Sequence, residues 1–489
     1  MSKIIGAYLY PSYPNKGKIE KIKEVLKEYR KTAKQIAKAQ WIHFFKTGEF
    51  NKYLDIKKLK AKLSERYKQT CQWQVVSVLE SFIQNVKNEF EKIVYKSTLN
   101  EKTKRVLIVI NKQNKWFDKT IDKVYWIQNK KQTIEYLVSE EEKLLAKKII
   151  KYILNKWRKP NFDNINLHLD NKVAIIEENK KSKSFDKWLK LSTLQKGEPI
   201  YIPLKNNPYA ENTEGKFLNF CQIDIKDDKL IVKLMKQIKP REYKPLTQYI
   251  AIDLGLNPLI ATDKGDLIGR RFLDFLMAMD KKITKRMAYI QKKGIRPSQD
   301  KKYKKMVSQL RGFLKTEINR YINNLIELYK PEVIVLEKLD FRNQNLSKRM
   351  NRLISNFGKR VIKEKMQRLK ELCGIEVVEV NPAYSSQTCS KCGYVDKNNR
   401  KDTQTFECRA CGYKANAQVN GARNILNRRS IGDIKVHTPK KAILKVLVKQ
   451  YLERFTGCNS APLEVLKGNP YFRDYLEDFL NPWSVNKCL

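Results

Sequence analysis

The chain has 489 residues, with 100 Lys plus Arg against 52 Asp plus Glu and a formal net charge of +48. That length provides a buried core without help from disulfides, and the charge is self-repelling unless a polyanion neutralises it, so nucleic acid is the expected partner. The apolar run a membrane span needs is missing, as are the apolar h-region and cleavage site of a secretory leader, which excludes a membrane-embedded or exported class and predicts a cytoplasmic protein.

In chain order, Ile4–Tyr10 reads as a short strand, followed by a turn at 11–16 and a lysine-rich helical region with Ile19, Ile22, Val25 and Leu26 at helical spacing. Helical patterning runs to about Tyr95, and Trp73, Val76, Leu79, Phe82, Ile83 and Val86 form a stripe suited to a core. A second helical stretch is predicted at 133–157, completing a basic, mostly helical N-terminal lobe. From Pro160 to about Pro245, short β-type runs at 173–176, 199–203, 220–225 and 230–234 are separated by Gly, Asn and Asp. They favour a small antiparallel barrel or sheet that the first strand can join.

After Pro245 strands alternate with helices, an α/β texture. The strands are 249–254, 259–262, 333–336 and Glu376–Val380; the helices are a basic pair within 273–329 and another at 352–373. Residues 430–489 carry Phe472, Phe479, Trp483 and a mixed-sign helix near 471–480. Lysine runs at 18–38, 281–305 and 359–370 point to extended contact with a phosphate backbone, although any one run also reads as a solvated face.

Four residues stand out. Cys389, Cys392, Cys408 and Cys411 form two CxxC pairs separated by 15 residues. Each CxxC turns two sulfurs toward one point, so the pairs can close a tetrahedral thiolate cage around a structural zinc ion, with no position left for water. A buried cluster of reduced thiols is the competing reading, and the polar run 396–405 between the pairs offers it little core. The other cysteines, Cys71, Cys221, Cys373, Cys458 and Cys488, are scattered and odd in number, which suits a reducing compartment.

Asp253 and Glu337 each end an apolar strand. A site that cuts phosphodiesters with two magnesium ions gathers three or four carboxylates, which hold the cations and offset their charge. The bland readings are a turn cap before Gly255 for Asp253 and an ion pair with Lys338 for Glu337. His43, His168 and His437 sit in no ligand-like cluster. Arg409 can touch a phosphate or remain solvated, and Trp188, Tyr201 and Tyr384 can stack on bases or simply pack.

IDLGLNPLIATDKG around Asp253, VIVLEKLDF around Glu337, NPAYSSQTCSKCG and CGYKANAQVNGARNIL together resemble the three-part RuvC nuclease core with its inserted zinc ribbon. This is the arrangement of transposon-encoded TnpB proteins and of compact type V CRISPR effectors, especially the miniature type V-F group. The WLKLSTLQKGEPIYIPL segment resembles their wedge domain. The resemblance implies an RNase H-like RuvC domain with a zinc ribbon, a helical recognition lobe and a wedge β-barrel. Its implied map is a first wedge strand at 1–14, helical lobe at 15–159, wedge barrel at 160–246 and RuvC motifs I and II at 247–382. The zinc ribbon at 383–415, motif III at 416–429 and a C-terminal extension at 430–489 follow. It also implies a prokaryotic, nucleoid-associated protein whose partners are a guide RNA and target double-stranded DNA, possible as a homodimer, with sequence read by pairing and not by the protein.

The third motif departs from the family pattern. Where the family carries two aspartates, the second a metal ligand, this chain has Asn416 and Gln418. An amide oxygen can touch magnesium but adds no negative charge, so magnesium is expected to bind weakly. Asp433 lies about 22 Å from Gln418 if the segment between is helical. Asp396, Asp402 and Glu407 belong to the ribbon, where a short loop that bends inward is the alternative source of a third acid, and Asp263 and Asp340 suit turns. The expectation is an RNA-guided DNA binder that leaves its target uncut and acts by occupancy or recruitment, as in transcriptional control; an active RNA-guided endonuclease is the alternative. Leu463, Leu466, Tyr471 and Phe479 of the extension can form a partner face or pack on the chain's own RuvC domain.

Overall fold

The first strand pairs at the far end of its unit. Ile4–Tyr10 runs antiparallel to Lys229–Ile238, with Ile4 opposite Ile238 and Tyr10 opposite Val232. In a computed structural model the described residues are 4–56, 59–128, 132–179, 183–337, 345–436, 438–455 and 463–480. They divide into two units, 1–239 and 240–489.

In the first unit Ile4–Tyr10, Lys229–Ile238, Gly215–Lys226 and Leu167–Asp170 form one antiparallel sheet, and Ala174–Glu178, Lys187–Leu191 and Ile200–Leu204 form another. The central hairpin turns on Asp227 and Asp228, both at positive φ (49° and 57°), the two-residue geometry that matches strand twist. The expected barrel is corrected: among the described residues neither sheet closes. One edge of the larger sheet, Leu167–Asp170, has only four residues, too few for a closing ladder. Helix Glu65–Lys96 lies against it, where Arg66 Nε donates to Asp170 Oδ2 at 2.6 Å.

The longer helices of this unit are Lys16–Thr47, Glu65–Lys96, Glu101–Lys112 and Glu140–Lys156, started by the capping side chains of Asn15, Ser64, Asn100 and Ser139. The helix expected at 133–157 begins later. Gln132–Leu137 is a strand paired with Lys123–Gln128, because Ile134 and Tyr136 alternate with the polar Thr133 and Glu135, with Tyr136 packing on the helical core and Ile134 opposite Trp126. Ser139 and Glu142 then fix the helix start with a reciprocal capping box. Phe44, Phe90, Trp116 and Ile150 centre the core.

The second unit is built on a mixed sheet in the order Leu267–Ile268, Ile260–Thr262, Thr247–Leu254, Pro331–Glu337, Glu376–Val380. The last three strands are parallel. Period-two alternation sorts their side chains. Ile250, Ile252 and Ile334 face helices Phe272–Lys292, Lys301–Tyr329 and Lys348–Cys373, whereas Ala251, Val333 and Val335 pack with Ile425 of helix Ala417–Arg428. Asp253 and Glu337, in phase with Ala251 and Val335, belong to this second face.

The extension folds onto the cysteine-rich ribbon. Helices Lys440–Phe455, Leu463–Lys467 and Pro470–Leu480 share a core with it. Tyr394 of the ribbon stacks on Phe472 at 5.2 Å and meets Tyr451 at 5.4 Å, and Asn469 Nδ2 donates to the Tyr394 hydroxyl at 2.8 Å and to Val395 O at 2.9 Å. Of the four residues considered for a partner face, Leu466 is fully buried here and the Tyr471 hydroxyl donates to Gln387 Oε1 at 3.1 Å. The side chains of Leu463 and Phe479 lie outside the described residues. No described helix is long and apolar enough to cross a membrane.

Phe472 is wholly buried, so Phe472→Ala is expected to destabilise the second unit by about 3–5 kcal/mol, read as a lowered urea midpoint in the full chain.

Candidate metal centre and carboxylate site

Two matching turns build the cysteine cluster. In the first, Gly393 N donates to Cys389 O at 2.9 Å and Cys389 N to Tyr394 O at 2.8 Å; in the second, Gly412 N donates to Cys408 O and Cys408 N to Tyr413 O, both at 2.9 Å. Gly393 and Gly412 sit at φ +85° and +66°, which the repeated CGY sequence accommodates because glycine carries no Cβ. The four sulfurs lie within 4.8 Å of one another, with Cys389 to Cys411 at 3.8 Å and Cys392 to Cys408 at 3.7 Å. A tetrahedral zinc with Zn–S near 2.3 Å separates its sulfurs by about 3.8 Å. The residues therefore fit a zinc ion, and four thiolates would leave it no exchangeable position.

The two carboxylates arrive on adjacent strands. Ile252 pairs with Leu336, so Asp253 and Glu337 are the next residues along a parallel ladder whose strands lie about 4.8 Å apart. Burial pushes Asp253 up to about 6, opposed by Arg400 and the Leu254 backbone. Burial also pushes Glu337 up to about 8, and the charge of Asp253 adds to this. The Ser385 hydroxyl, which donates to Glu337 Oε2 at 2.9 Å, and then Arg428 and Arg400 pull the other way. Arg428 is nearly fully buried and held by the carbonyls of Asn381 and Ala383; burial brings it down to about 10 against the pull of Glu337.

Gln418 stands in the first turn of helix Ala417–Arg428, started by Asn416, whose Oδ1 accepts from Gln418 N at 3.0 Å and Val419 N at 3.3 Å. One turn later Gly421 faces Asp253: a Cβ there would lie 2.8 Å from Oδ2. This close approach explains a glycine inside the helix. Gln418 is buried, and its Nε2 donates to Asn257 O at 3.3 Å while its Oε1 has no partner. The structure thus gathers Asp253, Glu337 and helix Ala417–Arg428 at one end of the sheet.

Other acids are spoken for. Asp263 Oδ1 accepts from Ala251 N at 2.8 Å, Asp396 from Asn398 N at 2.8 Å and Asp402 from Gln404 N at 2.6 Å, while Glu407 pairs with Lys414 at 3.2 Å. Asp433 lines a different cavity of about 520 Å³ with Asn424 and Arg454. Asp340 and Lys338 lie outside the described residues. Arg409 is exposed, with its backbone N–H donating to Asn399 Oδ1 at 3.0 Å. Sequence reasoning missed Ser385, Arg400, Arg428 and Gly421. Only Gly421 left a signal, as a glycine within a helical pattern.

Residues 360–425 match the family described as "Cas12f1-like, TNB domain". The chain is 36% identical over 128 residues to the CRISPR-associated endodeoxyribonuclease Cas12f1 of Sulfoacidibacillus thermotolerans, covering 25% of this chain and 29% of that one. It is 33% identical over 127 residues to a TnpB-like protein of Aquifex aeolicus, covering 24% and 42%. The match therefore spans less than half the length of either relative. A solved Cas12f1–sgRNA–target DNA complex aligns over 87% of this chain and 99% of its own at 15% identity and TM-score 0.40. Over these segments the chain is similar to the Cas12f1 and TnpB proteins.

Two outcomes are expected. Purified chain should carry one zinc per molecule by elemental analysis, and Cys408→Ser should lose most of it and lower the urea midpoint of the second unit. In divalent-free buffer, the raised values of Asp253 and Glu337 mean that the folded chain binds extra protons. Their stabilising contribution is complete below the ordinary carboxylate range and is lost as pH rises through about 6 and then about 8. Glu337→Gln should flatten the upper part of that decline in urea midpoints.

Proposed function

We propose that this chain is an RNA-guided DNA-binding protein that occupies its target without cutting it, acting by blocking or by recruiting a partner, as in transcriptional control. The observation that carries this reading is Gln418, a buried amide at the start of the helix that packs on Asp253. In the RuvC reading that position supplies the third carboxylate. Asp253, Glu337 and the unpaired Gln418 Oε1 offer donors of the right hardness for one magnesium ion, and their two charges balance one dication. A second dication finds no anionic donor, whereas phosphodiester cleavage by this class of site uses a pair.

The rest of the chain suits the same role. The net charge of +48 favours long contact with phosphate, and guide pairing provides specificity without base-reading side chains. On this reading 15–159 is the recognition lobe, 1–14 and 160–246 the wedge, 247–382 and 416–429 the RuvC domain, 383–415 the target-binding ribbon and 430–489 an extension. Arg409 would meet nucleic-acid phosphate. One observation favours the active-endonuclease alternative: an orphaned buried oxygen on the helix that packs on Asp253 can take a cation.

The deciding experiment purifies the chain with co-expressed RNA, sequences that RNA, and measures binding and cleavage of a matching duplex side by side. Guide-dependent binding, weakening steeply with salt and giving no product in magnesium or manganese, is expected. Clean plasmid cutting that disappears in Asp253→Ala would overturn it. Gln418→Asp should restore magnesium-dependent cleavage by about two orders of magnitude, since a completed cation cage supplies several kcal/mol of transition-state stabilisation.

A further inference from the structure

A second cavity lies within the first unit, between helix Glu65–Lys96 and the strands Leu167–Asp170 and Gly215–Lys226. It has a volume of about 280 Å³ and is walled by three rings, Trp73, His168 and Phe220, with Leu169 and Ser77 beside them. His168 and Phe220 lie 5.2 Å apart, tilted by 40°. The Arg66 guanidinium sits 5.0 Å from the centre of the Trp73 ring. Arg66 is fixed in turn by Asp170, so the indole is backed by a tethered cation. Burial lowers the His168 value below its ordinary one, which leaves a flat, neutral imidazole at neutral pH.

We infer that this cavity is a stacking slot for one unpaired nucleobase of the bound nucleic acid, held against Trp73 and the His168–Phe220 pair. The volume falls just below that of drug-sized pockets and suits one planar ring system. The chain's positive charge makes a polyanion the occupant to expect, and aromatic faces are the surfaces on which unstacked bases settle. The slot stacks without reading sequence. Its best base-edge readers are already engaged: Gln74 accepts from the Tyr29 hydroxyl and donates to Asn166 Oδ1, both at 2.9 Å, and Asp170 accepts from Arg66 and from Lys172 N. Every base has a π face, so such a slot can hold a fixed point of an RNA or DNA strand whatever its sequence. The inference rests on the nucleic-acid-binding reading and adds a place on the chain where one nucleotide is gripped.

The test irradiates the full chain, freed of co-purified nucleic acid, with a short oligouridylate carrying 5-iodouracil and, in parallel, an oligothymidylate carrying 5-iododeoxyuridine. Crosslinked peptides are then mapped by mass spectrometry. Crosslinks at Trp73, His168 or Phe220 are expected, and the oligomer that gives them identifies whether RNA or DNA enters. Trp73→Ala should weaken oligomer binding by about tenfold with an unchanged melting profile. Ser77→Trp, which plugs the slot and keeps its walls, should do the same. If the oligomers bind but crosslink only elsewhere, and Ser77→Trp binds like the native chain, the slot is overturned while the nucleic-acid reading stands. If neither oligomer binds at all, both fall.

Discussion

Two carboxylates held side by side in a half-buried seam set the terms for the second unit. Asp253 and Glu337 cannot both be fully charged there without a compensating positive group, and each is pushed toward its neutral form. The compensation comes from separate parts of the chain. Arg400 reaches them electrostatically from the ribbon, Arg428 reaches Glu337 from the far end of helix Ala417–Arg428, and Ser385 binds Glu337 by a hydrogen bond from the loop that precedes the cysteines. Removing any one of these elements would leave the pair less well balanced, so sheet, helix and ribbon are linked through one electrostatic need.

That need explains why the ribbon is so firmly fastened. Asn399, next to Arg400, is fully buried; its Nδ2 donates to Gln387 O at 3.0 Å and its Oδ1 accepts from Arg409 N at 3.0 Å, joining the two halves of the cysteine cluster. Asn420 and Asn424 of helix Ala417–Arg428 both donate to Thr388 O, at 2.9 and 2.6 Å, just ahead of Cys389. On its other side the ribbon is covered by the extension, with Phe472 and Asn469 gripping Tyr394. A small ribbon has little core of its own. The extension supplies part of what it lacks, and a zinc ion held by the four cysteines would stiffen the ribbon that carries Arg400 further.

Much of this was legible in the sequence, for physical reasons that differ by element. The strands ending in Asp253 and Glu337 announce themselves because parallel strands buried on both faces are nearly all apolar. The cysteine cage follows from local spacing. Whether the β segment at 160–246 closes was not legible, because closure depends on edges meeting across long sequence separations, and the short Leu167–Asp170 edge is instead covered by a helix. The strand at Gln132–Leu137 hid inside a lysine-rich stretch whose helical composition masked its alternation. Arg400 and Arg428 were invisible because their partners are far away in sequence, and a lone arginine carries no periodicity to betray it.

The amide at position 418 is the clearest point where fold and function part company. Judged by folding alone, glutamine is a middling choice. An acid in the first turn of a helix gains about 0.3–1 kcal/mol from the helix dipole, which glutamine forgoes. Its buried, unpaired Oε1 costs about 1–3 kcal/mol more. Against this stands the repulsion that a third buried carboxylate would feel from Asp253 and Glu337, which nothing short of bound cations would offset. Glutamine therefore keeps the helix seated, with Asn416 capping it and Gly421 flush against Asp253, while relieving the metal-free site of a charge it could not bear. A cutting enzyme must tolerate that charge and fill the site with cations, whereas a protein that only occupies DNA is free to discard it, and under the proposed function Gln418 marks such a discarded charge.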